Sequence, residues 1–199
     1  MLQERLAENG APQTKRVNIC TTSGITSLEC GRTKQAEFEP ADSLHKQWLN
    51  YSNKHDINKD TETLIHLLND TSHIARTVEE ILDTLYDAAL VVLDSTPQLG
   101  TEQKTRALYL SYNLCTCEAC QNECGAHINK KGQIRISQKA FQNTLNQSGY
   151  SPPGLLELMY TILHEVLCGI FPELDGEALA EKTEQVWKSG MAELAKEKS

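Results

Sequence analysis

Apolar positions fall into repeating patterns from about residue 60 onward, whereas residues 1–59 are mostly polar and weakly periodic. Leu64, Leu67 and Leu68 recur at helical spacing and predict a helix over 60–70. Ile74, Val78, Ile81, Leu82, Leu85, Ala88, Ala89, Val92 and Leu93 form a longer stripe that predicts a second helix over 72–93. The run Ser95-Thr-Pro97-Gln-Leu-Gly100 stops it. Residues 106–113 alternate and read as a strand, with Ala107, Tyr109 and Ser111 on one side. Residues 127–136 read as two strands around a Lys131-Gly132 turn, with Ile134 and Ile136 sharing a face. Ser137 is placed to cap a helix through Phe141 and Leu145, which ends in the Pro- and Gly-rich run 149–154. Leu155 to Ile170 is apolar nearly all round, as a helix at a domain centre must be. Phe171-Pro172 ends it, and Asp175 caps a last amphipathic helix through Leu179, Val186 and Met191.

The pattern predicts an α+β fold in which a small, mainly antiparallel sheet packs on several helices, with the 155–170 helix central. It divides the chain into an N-terminal arm over 1–59, a domain over 60–191 and a charged, frayed tail over 192–199. Within the arm, residues 17–31 suit a short hairpin around Ser23-Gly24 or a flexible segment, and Trp48 and Tyr51 are its only large anchors.

Nineteen basic against 27 acidic residues give a net charge of −8, and no Lys/Arg stripe stands out, which argues against nucleic acid as the main partner. The acid-bearing start, Met1 to Gly10, lacks the apolar core of a secretory leader, and no apolar run approaches the roughly 20 residues of a membrane span. A cytoplasmic location is therefore expected.

One segment of the central helix carries chemistry: Thr161-Ile-Leu-His164-Glu165-Val-Leu-Cys168-Gly169-Ile-Phe-Pro172. His164 and Cys168 are four apart and project from one helix face, so both reach toward a single ion. Glu165 stands next to the first donor, where a base would take a proton from metal-bound water. A charged Glu beside a His in an apolar helix is costly without a function or a partner.

With the preceding Lys-Gly turn, the Ile134-Arg-Ile136 strand and the Phe171-Pro172-Glu-Leu turn, this segment resembles small prokaryotic and viral zinc metallopeptidases of the HExxH (zincin) type over roughly residues 106–190. The resemblance implies a zinc held by His164, Cys168 and an acidic residue of the last helix, Glu177 or Glu181. Glu177 is preferred because it is nearer the turn. It also implies Glu165 as general base, and an extended peptide paired along the edge strand Ile134–Ile136 as substrate. The chain departs from that family at Cys168, where the motif has His, and a thiolate weakens the Lewis acidity of the ion.

Seven cysteines include four within ten residues: Cys115, Cys117, Cys120 and Cys124. In a reducing compartment such a cluster reads as a zinc or iron–sulfur site, and His127 just beyond it is an alternative ligand. The second reading of function is accordingly a non-catalytic metal-binding or protein-interaction module on a degenerate peptidase scaffold. Under either reading the partner is a peptide or protein. Cys20 and Cys30, ten apart around Gly24, pair under oxidation or stay as thiols. His66 and His73 read as polar-face or capping residues, and Trp48 and Trp187 as core or interface anchors.

Overall fold

The computed structural model describes residues 41–69, 77–116, 120, 126–129, 132–148 and 151–197, with side chains from residue 45 onward. Among these, seven helices and three strands follow in the order α1 (Ala41–Lys54), α2 (Ile57–Asn69), α3 (Val78–Asp94), α4 (Thr101–Tyr109), β1 (Tyr112–Cys115), β2 (Ala126–Ile128), β3 (Ile134–Ser137), α5 (Gln138–Ser148), α6 (Pro152–Ile170) and α7 (Gly176–Lys196). The class is α+β. The expected strands on either side of the Lys131-Gly132 turn are present as β2 and β3, whereas the expected hairpin over 17–31 and Cys20, Cys30, His73, Cys117 and Cys124 lie outside the described residues.

Helix ends follow local chemistry. Thr77 and Glu80 form a reciprocal capping box at the start of α3, the Ser137 hydroxyl accepts from the Ala140 N–H, and Asp175 accepts from the Ala178 N–H at the start of α7. Pro152 and Pro153 open α6, where missing N–H groups cost nothing. Gly132 adopts φ 74° in the turn between β2 and β3, a left-handed conformation that Gly takes without strain.

Two expectations about the strands need correction. Residues 106–109 belong to α4, because the run Thr101 to Arg106 supplies good helix formers just after Gly100; the strand starts only at Tyr112. The sheet is mixed, in the order β1-β3-β2: β1 runs parallel to β3, and β2 antiparallel to it. Strand β3 is therefore central, and both of its edges are taken. Ile134–Ile136 offers no free edge to an extended peptide. The packed chain also reaches further than the residue-60 boundary, because α1 buries Trp48 and Tyr51, and α7 continues to Lys196 with Leu194 buried.

Helix α6 is the hub, touching each of the other six helices as well as β2 and β3. It is the one described helix long and apolar enough to cross a membrane, yet 67% of it is buried against these neighbours. Around its N-terminal half, Trp48, Tyr51, Tyr160 and Trp187 pack ring on ring at centroid distances of 5.4–6.2 Å. The Asp60 carboxylate sits at the edge of this cluster and accepts from the Tyr51 hydroxyl and the Trp187 indole N–H, both at 2.9 Å. Burial first, and Asp60 next, raise the Tyr51 hydroxyl above its ordinary value, so it remains a donor. Outside the cluster, His45–Glu157 at 2.6 Å and His55–Glu184 at 3.0 Å tie α1 to α6 and α7.

Substituting Asp60→Ala orphans two buried donors at once. At about 1–3 kcal/mol for each unmet group, the variant is expected to lose about 2–4 kcal/mol in urea unfolding. A loss under 1 kcal/mol would show that Asp60 does not join α1, α2 and α7.

Candidate functional site

His164 is completely buried, and α7 sets its surroundings. The inward side of α7 carries Leu179, Thr183, Val186, Trp187, Gly190, Met191 and Leu194, and Thr183 is the residue that meets the imidazole. The Thr183 hydroxyl donates to the Leu179 carbonyl (2.8 Å), the carbonyl one turn back, and so accepts from His164 Nδ1–H (3.1 Å). This assigns the proton to Nδ1 and leaves a lone pair on Nε2, which is buried without a hydrogen-bond partner. Burial pushes the imidazole down to about 4, so His164 is neutral at pH 7.

A lone pair on Nε2 with Nδ1 held by a neighbour is how a metal-binding histidine is oriented. The other donors do not gather around it. Glu177 and Glu181 both lie on the exposed side of α7, and Glu181 is occupied with Gln185 at 3.3 Å. Glu165 is buried next to His164, and Cys168 is part-buried against the apolar core. Among the described residues no three of His, Cys, Asp or Glu stand close enough to hold one ion. A catalytic zinc also needs an open coordination position. A surface hollow of about 440 Å³ lies at the C-terminal turn of α6, lined by Thr101, Arg106, Tyr109, Leu110 and Gly169, and His164 is not among its lining residues. Among the described residues, His164, Cys168, Glu177 and Glu181 do not assemble the ligand set that the zincin resemblance implies.

The cysteine region is different. Cys115 ends β1, buried, and Cys120 is buried with its Sγ 3.6 Å from His127 Nδ1. With Zn–S about 2.3 Å and Zn–N about 2.0–2.1 Å, two ligands on a tetrahedral edge stand about 3.6 Å apart. The same separation suits an S–H···N contact, so the geometry is ready for an ion without requiring one. The expected alternative ligand, His127, is thus the one brought to a cysteine. Cys117 and Cys124 are outside the described residues.

A further group went unnoticed in the sequence. Tyr112, Leu114, Ala126, Ile128, Ile134 and Ile136 all join the core, so alternation turns Asn113, Cys115, His127, Arg135 and Ser137 to the opposite face of the sheet. Asn113, Arg135 and His127 stand in one row across the three strands, and all are buried. The signal was present in Tyr112-Asn-Leu-Cys115, Ala126-His-Ile128 and Ile134-Arg-Ile-Ser137, which alternate strictly. Alternation ordinarily marks a half-solvated strand, which hid the burial of the polar side.

No family model, curated protein or solved structure matches this chain.

The His164 environment has a pH signature. Unfolded, the imidazole takes a proton near 6.5; folded, only near 4. The stability it contributes is full above pH 6.5, drains away as pH falls toward 4, and changes little below that. At about 1.36 kcal/mol per unit this amounts to roughly 3 kcal/mol. Unfolding free energy of the native chain minus that of His164→Gln, followed from pH 7 to pH 4, is expected to fall by that amount; a flat difference overturns the neutral buried assignment.

Proposed function

We propose that this chain is a non-catalytic metal-binding module that presents its surface to a protein partner and holds zinc through its cysteine cluster. Cys120 and His127 are the ligands assigned from position, and the remaining thiolates come from the Cys115, Cys117 and Cys124 set. The observation that carries this reading is the Cys120–His127 pair. Two soft and borderline donors, seven residues apart in the chain, meet at the spacing of a tetrahedral edge in a buried place. A structural zinc asks only for a closed shell and no access for substrate.

The peptidase reading has weaker support. Its carboxylate ligands face solvent, its histidine is sealed beneath Thr183, and its substrate-binding edge is occupied by β1 and β2. Glu165 beside His164 remains in its favour, and its partner set is the point on which the two readings part.

Elemental analysis of the purified chain separates them. One zinc per chain is expected, lost in Cys120→Ser and in His127→Ala while helix content is retained, and kept in His164→Gln. Zinc that disappears with His164→Gln and survives Cys120→Ser would reinstate the peptidase-type centre, and hydrolysis of unfolded protein that stops on Glu165→Gln would confirm it.

A further inference from the structure

The polar row on the sheet poses an electrostatic problem that the metal reading does not solve. Arg135, 8% exposed, hydrogen-bonds through Nη2 to Gln133 Oε1 at 3.1 Å, while its Nε and Nη1 have no partner. No carboxylate among the described residues pairs with it. On the neighbouring strand, Asn113 is buried with its Oδ1 equally unmet. Withdrawing a guanidinium from water is costly unless an anion accompanies it, and an unmet amide oxygen adds to that cost. A fold keeps such a combination where a ligand relieves it.

The donors are also oriented in advance. Gln133 Oε1 accepts from both Arg135 Nη2 and Asn129 Nδ2 (3.0 Å), and Asn129 in turn closes the turn by accepting the Gln133 N–H through its side chain. The guanidinium is thereby clamped at Nη2 and leaves Nε and Nη1, both buried, to a ligand enclosed with them, which spares that ligand the ordering cost. The charge available is one unit from Arg135, so a singly charged carboxylate balances it, whereas a phosphate dianion would leave negative charge in a poorly solvated place. The unmet Asn113 oxygen asks in addition for a donor. Adjacent strands lie about 4.8 Å apart, so a carboxyl group on Arg135 and a donor on the next carbon reach both side chains.

We propose that Asn113, Arg135 and His127 line a binding site for a small monoanionic carboxylate that carries a hydroxyl or N–H on the carbon next to its carboxyl group. Arg135 takes the carboxylate and Asn113 takes the donor. His127 closes the row on the side of Cys120. The chemistry is shared by a free hydroxy or amino acid and by the C-terminal residue of a peptide.

The test is thermal unfolding of the full chain, with the metal it carries as purified, at matched ionic strength in sodium glycolate, acetate, phosphate or chloride. Glycolate is expected to raise the midpoint saturably, acetate less, and phosphate no more than chloride. Arg135→Gln should abolish both carboxylate shifts. Asn113→Ala should bring glycolate down to acetate, which in titration calorimetry is about a tenfold loss of glycolate affinity, or about 1.4 kcal/mol. Acetyl-diglycine tested against its C-terminal amide distinguishes a peptide end from a free acid: stabilisation by the peptide acid beyond that by glycolate identifies a C-terminus. Glycolate indistinguishable from chloride, phosphate outranking both carboxylates, or an Arg135→Gln protein that still responds would each overturn the proposal. If Arg135→Gln does not fold, the Asn113→Ala calorimetry decides, since an unchanged glycolate preference there also overturns it. The zinc content of these variants reads out separately, so failure here leaves the metal assay intact, and the reverse.

Discussion

The structure depends on the enclosure of α6. A helix that is apolar nearly all round has no face to give to water, so other elements must surround it, and six helices and two strands do so. A neighbour such as α7 then needs only one apolar stripe, whereas α3 is itself buried all round over residues 88–93. Close approach follows from this crowding: a side chain added at Gly190 would meet the Val92 carbonyl at 2.2 Å, so α7 can lie this near α3 only through a glycine.

Enclosure also dictates the fate of every polar group on these helices. Asp60 stays inside because Tyr51 and Trp187 both donate to it, and His164 stays inside as a neutral base because Thr183 takes its proton-bearing nitrogen. The two cases differ in completeness. Asp60 has its two donors in place, whereas His164 keeps an unmet Nε2 and has a titration displaced far below its ordinary range. That residue carries stored cost, and cost of that kind is compatible with a remnant of a metal site as well as with a core histidine. The exposed position of Glu177 and Glu181 leaves Thr183 as the side chain of α7 that meets His164.

The small sheet presents the opposite arrangement. One face merges with the apolar interior, and the other keeps Asn113, Arg135, His127, Cys115 and Ser137 away from water, with Asn113 Oδ1 and two Arg135 nitrogens unmet among the described residues. Concentrating unmet donors, thiols and an imidazole on one buried surface is unfavourable for a merely structural sheet. The proposed zinc at Cys120 and His127 and the proposed carboxylate at Arg135 and Asn113 are two neighbouring answers to that one imbalance.

The sequence by itself determined the helices with strong 3.6-residue periodicity, their caps at Ser137 and Asp175, the turn at Gly132 and the centrality of residues 155–170, because these follow from local sterics and from the single face each segment can bury. It misplaced residues 106–109, where an alternating pattern and good helix formers point opposite ways and only tertiary packing chooses. Which side of α7 meets His164, the parallel partner that makes β3 central, and the burial of the polar sheet face were decided by the tertiary structure alone. Spacing within one helix fixes which residues share a face, but the neighbour that face meets depends on contacts between segments far apart in the chain. For that reason His164, Glu165 and Cys168 are legible together in the sequence while the exposure of Glu177 and Glu181 is not, and an Arg that drew no notice in the sequence stands buried with two unmet donors.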